Sequence, residues 1–167
     1  MNNITILFLL FLLLNDIGLT QHNLHSQEGK SEIKTLSKEQ INSYLNGEGM
    51  GLAKPAELNH YPGPKHVLEF SNELKLTEDQ INQTNRLIDE VKINAVSLGY
   101  QIIEKEKELD SLFVNNIVEE KTIRSLLLKL AELNGELRFV HINAHIKQEK
   151  ILEHNQIELY DKLRGYK

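Results

Sequence analysis

Two pairs of side chains in this chain have the spacing of a shared binding site. His141 and His145 stand four residues apart in a stretch with helical periodicity, so their imidazoles project from one face about a turn apart. Two imidazoles so placed can ligate one Zn, Cu, Ni or Co ion. The same spacing also fits two solvated or half-buried histidines with no ligand. His66 and Glu69 stand three apart just after a proline turn and can share a helix face. Read alone, His66 is a helix N-terminal residue bonded to backbone, and Glu69 is a solvated charge. Together the four would offer three nitrogens and one oxygen to a divalent transition metal. The chain holds seven histidines and no cysteine. Of the others, His60 could close over such a site, while His22, His25 and His154 read as solvated. Met50 could add a soft axial ligand.

Composition removes several function classes. Lys and Arg number 19 against 24 Asp and Glu, a formal charge of −5, which argues against a nucleic-acid binder with its basic face. There is no Gly-rich phosphate loop, and no Ser or Cys nucleophile in a recognisable motif. An enzyme is not expected. Residues 4–14 are apolar except for Thr5. As a helix they would span only ~16 Å, too short for a bilayer core but the length of a signal-peptide apolar region. Residues 1–20 are therefore read as an export signal, with an uncleaved membrane anchor as the alternative.

The elements that must position the histidines follow from periodicity. Residues 21–46 read as a polar, flexible leader, with a short helix possible from Lys38 to Leu45. Asn46-Gly47-Glu48-Gly49-Met50-Gly51 is loop-like, and Tyr61-Pro62-Gly63-Pro64 is a rigid turn. A helix over residues 65–74 would put Val67, Phe70 and Leu74 on one stripe. Leu76-Thr77-Glu78-Asp79-Gln80 is a capping box with acidic residues at the positive end of the helix dipole. The helix it opens runs to about Phe113 with apolar residues alternating three and four apart. Asn115-Asn116 breaks it. A second long helix follows, its seam running from Ile123 through Leu126, Leu130, Leu133, Leu137 and Ala144 to Ile151. A short last helix ends at Gly165. The result is an all-α fold, a long antiparallel helical hairpin with two shorter helices. Leu87, Ile103, Leu127 and Leu128 lie off the seams and need another surface, either the short helices or a second subunit of a homodimer.

The order of these pieces, across residues 47–167, resembles the Spy/CpxP class of periplasmic stress proteins and their CnrX-like heavy-metal-resistance relatives. The pieces are Gly49-Met50-Gly51, Tyr61-Pro62-Gly63-Pro64-Lys65-His66, Leu76-Thr77-Glu78-Asp79-Gln80, His141-Ile142-Asn143-Ala144-His145 and Leu152-Glu153-His154-Asn155-Gln156. In the last, Glu153 stands where that class has Thr. Residues 152–155 read as a kink or restart, but glutamate is a poorer N-cap, which leaves open a final helix continuous with its predecessor. The resemblance implies a four-helix hairpin that dimerises in the periplasm. It also implies one of two activities: metal sensing or buffering through His and acids, or ATP-independent holding of unfolded envelope proteins. A membrane-bound sensor or anti-sigma protein is a third kind of partner. The sensors carry His then Met four apart where this chain has His141 and His145, which favours Zn, Ni or Cu(II) over Cu(I). They also carry His-x-x-x-His early, where Phe70 follows His66 here, and an acid from the long helix, for which Glu90 is the candidate. The reading that results is periplasmic metal binding through His66, Glu69, His141 and His145, with the chaperone as its alternative.

Overall fold

The computed structural model describes residues 33–166. The expected signal segment, His22 and His25 lie outside the described residues. Among the described residues six helices follow in order: α1 (Lys38–Asn46), α2 (Lys54–Glu57), α3 (Pro64–Glu69), α4 (Glu78–Val114), α5 (Glu120–Ile151) and α6 (His154–Arg164). The fold is all-helical. α4 and α5, ~55 and ~48 Å long at ~1.5 Å per residue, pack antiparallel, and α1, α2 and α3 pack against them.

Local chemistry sets the helix ends. Ser37 and Gln40 form a capping box for α1, and Gly47 closes it in the left-handed conformation (φ 66°). Thr77 and Gln80 do the same for the start of α4. Its C-terminal turn is Asn115 followed by Asn116 at φ 56°, a conformation asparagine tolerates better than most residues. α3 ends at Glu69, short of the expected Leu74. The chain must turn there to reach the Thr77 cap, and Leu76 N–H bonds Ser71 O instead (3.0 Å). The apolar stripe survives the shortening: Val67 and Leu74 are buried with Leu152 and Tyr160, and Phe70 packs beside them.

The last helix restarts within residues 152–155, which read as a kink or restart, and does not run on from α5. Leu152 and Glu153 are extended (ψ 153° and 155°) between α5 and α6. The restart rests on Gln156, whose Oε1 accepts from Glu153 N–H (2.9 Å), and on a reciprocal pairing with Gln80. Gln80 Nε2 donates to Gln156 Oε1 (2.8 Å) and Ile151 O (2.9 Å). Gln156 Nε2 donates to Gln80 Oε1 (3.2 Å) and Leu74 O (3.0 Å). Gln80 Oε1 also accepts from Thr77 N–H (3.0 Å). Both amides are buried and each makes two donor and two acceptor bonds, so a weak side-chain cap at Glu153 is immaterial.

The hairpin core is Ala95 and Ile102 of α4 against Leu130, Leu133 and Leu137 of α5. α1 lies so close to α4 that a Cβ on Gly99 would sit 2.4 Å from Tyr44 O, so only glycine fits there. Ile103, off the seam, is buried with Ile33 and Leu36 of a short segment of the same chain, and Leu87 is buried as well. Leu127 and Leu128 stay exposed.

Gln80→Ala and Gln156→Ala should each cost about 2–3 kcal/mol, because each strands buried partners. The double mutant should cost less than their sum by about 1 kcal/mol or more. Urea unfolding of the four proteins measures this, and a fully additive cycle would rule out the paired amides as a coupled unit.

Candidate functional site

Four segments line a cleft of about 900 Å³ toward the open end of the hairpin. One wall is the residue 47–51 loop with α2. A second is the turn into α3. The floor is Ile88 and Val91 of α4 with His141, Ala144 and His145 of α5, and the chain end contributes Arg164 and Tyr166. The cleft exists because small residues stand where bulk would fill it. A Cβ on Gly63 would lie 3.1 Å from His145 Cε1 and 3.6 Å from His66 Cδ2, and a Cβ on Gly49 would lie 3.7 Å from His141 Nδ1.

His66, His141 and His145 all line this cleft; Glu69 does not. The His145 Nδ1–H donates to Tyr61 O (2.8 Å), which sets its tautomer and ties α5 to the proline turn. His66 Nδ1 pairs with Glu69 Oε2 (2.8 Å) on the exposed side of α3, and His66 Nε2 lies 3.9 Å from Glu57 Oε1. That bond, helped by the positive charges nearby, outweighs desolvation and holds the exposed Glu69 carboxyl below the usual carboxylate range. His141 is 8% exposed, and its Nε2 has no hydrogen-bond partner among the described residues. Burial, and secondarily the neighbouring His145, pushes its pKa down. One further turn along, Gln148 is fully buried with both amide atoms unpartnered among the described residues.

The expected cofactor is overturned by this arrangement. Among the described residues no group of three or more histidine, aspartate or glutamate side chains is placed to hold a metal ion. A divalent Zn, Cu, Ni or Co ion bound through His66, Glu69, His141 and His145 is therefore corrected. Glu69 and one nitrogen of His66 are committed to each other outside the cleft, one nitrogen of His145 is committed to a carbonyl, and one of His141 is closed off by packing. Of the accessory candidates, Glu90 pairs with Lys147 (2.6 Å) and His60 with Asp161 (2.6 Å). Met50 lines the cleft but is largely exposed, and His154 is solvated, 3.3 Å from Glu158.

Sequence reading missed the most connected residue of the site, Glu57. Its Oε1 accepts from Tyr166 O–H (2.8 Å), Arg164 Nη2 (3.0 Å) and Tyr160 O–H (3.2 Å). Tyr160 is fully buried, accepts from Gly63 N–H (3.2 Å) and packs edge-on against Phe70. Burial raises its phenol pKa well above the ordinary value. Burial would also raise the Glu57 carboxyl, but Tyr166, Arg164, Tyr160 and His66 outweigh it and hold it below the usual range. Its partners lie more than a hundred residues away in sequence, so no local spacing announces them. Compared with family models, with curated proteins and with solved structures, the chain matches none.

A carboxyl whose folded pKa is lowered contributes stability that is full above the unfolded value near 4.5 and is lost as pH falls through the folded one. Urea midpoints measured from pH 7 down to pH 3.5 should therefore fall more steeply for the wild type than for Glu57→Gln. Parallel curves would show that Glu57 is not the group being titrated.

Proposed function

We propose that this chain is an exported, non-catalytic, homodimeric holding protein of the Spy/CpxP kind, which shields unfolded polypeptides without nucleotide. The observation that carries this reading is a second apolar face on α5. At ~100° per residue, Leu128, Phe139 and Ile146 fall within about 20° of one another and about 180° from Leu137 in the seam. Leu128 is 64% exposed and Phe139 57%, Ile146 is also exposed, and Ile142 on the same side is half-buried. Exposed Lys121 and Arg124 lie at one end of the stripe and Lys150 at the other, and exposed Glu132, paired with Lys129 (2.9 Å), lies at its edge between Leu128 and Phe139. A helix that buries one face and shows a second apolar face, bracketed by cations, suits extended chain segments with apolar and acidic side chains. Gly135 lies on the same stripe, and a Cβ there would meet nothing within 4 Å, so its smallness answers no packing need inside the described chain. The hairpin tip, with Phe113, Val114, Ile117 and Val118 exposed, offers a second copy an apolar surface of its own.

Light scattering from a chemically unfolded client diluted into buffer tests the proposal. The wild type should suppress aggregation near stoichiometric ratio without ATP, and Leu128→Asp/Phe139→Asp should lose most of that effect. Both sites are exposed, so stability should change by only about 0.5 kcal/mol each. No suppression by the wild type, or equal suppression by the variant, sinks the reading. For the dimer, sedimentation should show Ile117→Lys/Val118→Lys shifted toward monomer.

A further inference from the structure

We infer that the cleft between the residue 47–51 loop, α2, α3 and the α4–α5 floor binds a small amphipathic organic anion, a carboxylate carried on an apolar body. This goes beyond the proposed holding activity and uses a different face of the molecule.

Three observations converge on it. The first is shape. At about 900 Å³ the cleft lies within the range of small-molecule sites, roughly 300–1,000 Å³. Gly49, Gly51, Gly63 and Ala144 line it without bulk, and the apolar side chains Met50, Leu58, Ile88 and Val91 line it too. Ile88 and Val91 belong to the α4 seam yet remain only half-buried, because small Ala144 is what α5 places beside them on the cleft floor.

The second is charge. The chain carries a formal −5, but the cleft is lined by Lys54, Lys65, Lys92 and Arg164 against only Glu48 and Glu57. Arg164 already compensates Glu57 (3.0 Å), and Glu48 accepts from Ser43 Oγ (2.7 Å). Three lysines are left against the one charge of Glu48, so the opening is net positive. Low-dielectric walls concentrate such a field and favour an anion there.

The third is the unpartnered polar floor. His141 lines the cleft, is more than nine-tenths buried, and lacks a hydrogen-bond partner among the described residues. The atom with no exposed surface is Nε2, closed off by packing, so a ligand in the cleft meets the ring at Nδ1. Its Nδ1 edge lies toward Gly49 on the loop wall, and in the Nδ1–H tautomer it presents a donor there. A carboxylate oxygen accepts from that donor while the lysines neutralise its charge and the aliphatic wall covers its tail.

Calorimetric titration of the full chain with decanoate, beside decylammonium and 1-decanol, tests the inference. Decanoate should bind one per chain, and at least tenfold more tightly than either control. Lys92→Glu and Lys54→Glu, both at exposed positions, should each weaken it about fivefold or more. Ala144→Leu, which fills the floor, should abolish it. Should Ala144→Leu fail to fold by circular dichroism, the two lysine reversals decide the matter. Leu128→Asp/Phe139→Asp should bind decanoate as the wild type does, so failure of the holding activity and failure of the cleft are read separately. Absence of decanoate binding, equal affinity for decylammonium, indifference to both lysine reversals, or loss only in the stripe variant would each overturn the inference.

Discussion

The paired amides of Gln80 and Gln156 are the constraint on which the rest of this molecule depends. Each glutamine closes the first turn of its own helix and reaches across to the other. Each also satisfies a carbonyl just before the opposite helix start: Ile151 O for Gln80, Leu74 O for Gln156. In one buried cluster the pair therefore fixes where α4 begins, where α5 stops and where α6 restarts. Buried amides are costly unless every group is satisfied, and here the geometry that satisfies them is the geometry of the open end of the hairpin. Val67, Leu74, Leu152 and Tyr160 fill the space around it with apolar bulk.

Once that end is set, the cleft follows. α6 returns the chain so that Tyr160, Arg164 and Tyr166 meet on Glu57 of α2, and Tyr160 also holds the Gly63 amide of the proline turn. The turn in turn presents Tyr61 O to His145 on α5. Three segments far apart in sequence are thus stitched around the polar stretch of α5 that contains His141, Ala144 and His145. Surface ion pairs such as Glu90 with Lys147 add little to this, since exposed pairs are worth ~0–1 kcal/mol. The hydrogen-bonded hub at Glu57 and the apolar cluster around Tyr160 decide the shape.

α5 is amphipathic twice over. Its inner seam makes the hairpin core, and its outer stripe of Leu128, Phe139, Ile142 and Ile146 is left largely uncovered within the described chain. The seam is what folding requires; the outer stripe is an addition that folding of this chain does not use. The off-seam residues divided accordingly. Ile103 found cover from Ile33 and Leu36, while Leu128 did not.

The sequence by itself determined the helices. The three-and-four apolar spacing, the Thr77–Gln80 box, the Asn115-Asn116 break and Gly165 are local signals, written within one or two turns of where they act, and the two long helices stand where they were read. Periodicity misjudges the close of α3 and leaves the restart of α6 open because each depends on a partner elsewhere: the Thr77 cap ahead of one and Gln80 across from the other. The site divides on the same line. That His141 and His145 share one face of α5 follows from a spacing of four, and the cleft indeed receives both together with His66. Only the tertiary structure decided which ring nitrogens were already engaged by Tyr61 and Glu69, and that Glu69 turned away from the cleft. Only it placed Glu57 at the centre of a hub drawn from the far end of the chain. Helical periodicity is a property of neighbours along the chain, whereas ligand geometry, burial and charge balance belong to groups that meet only after folding.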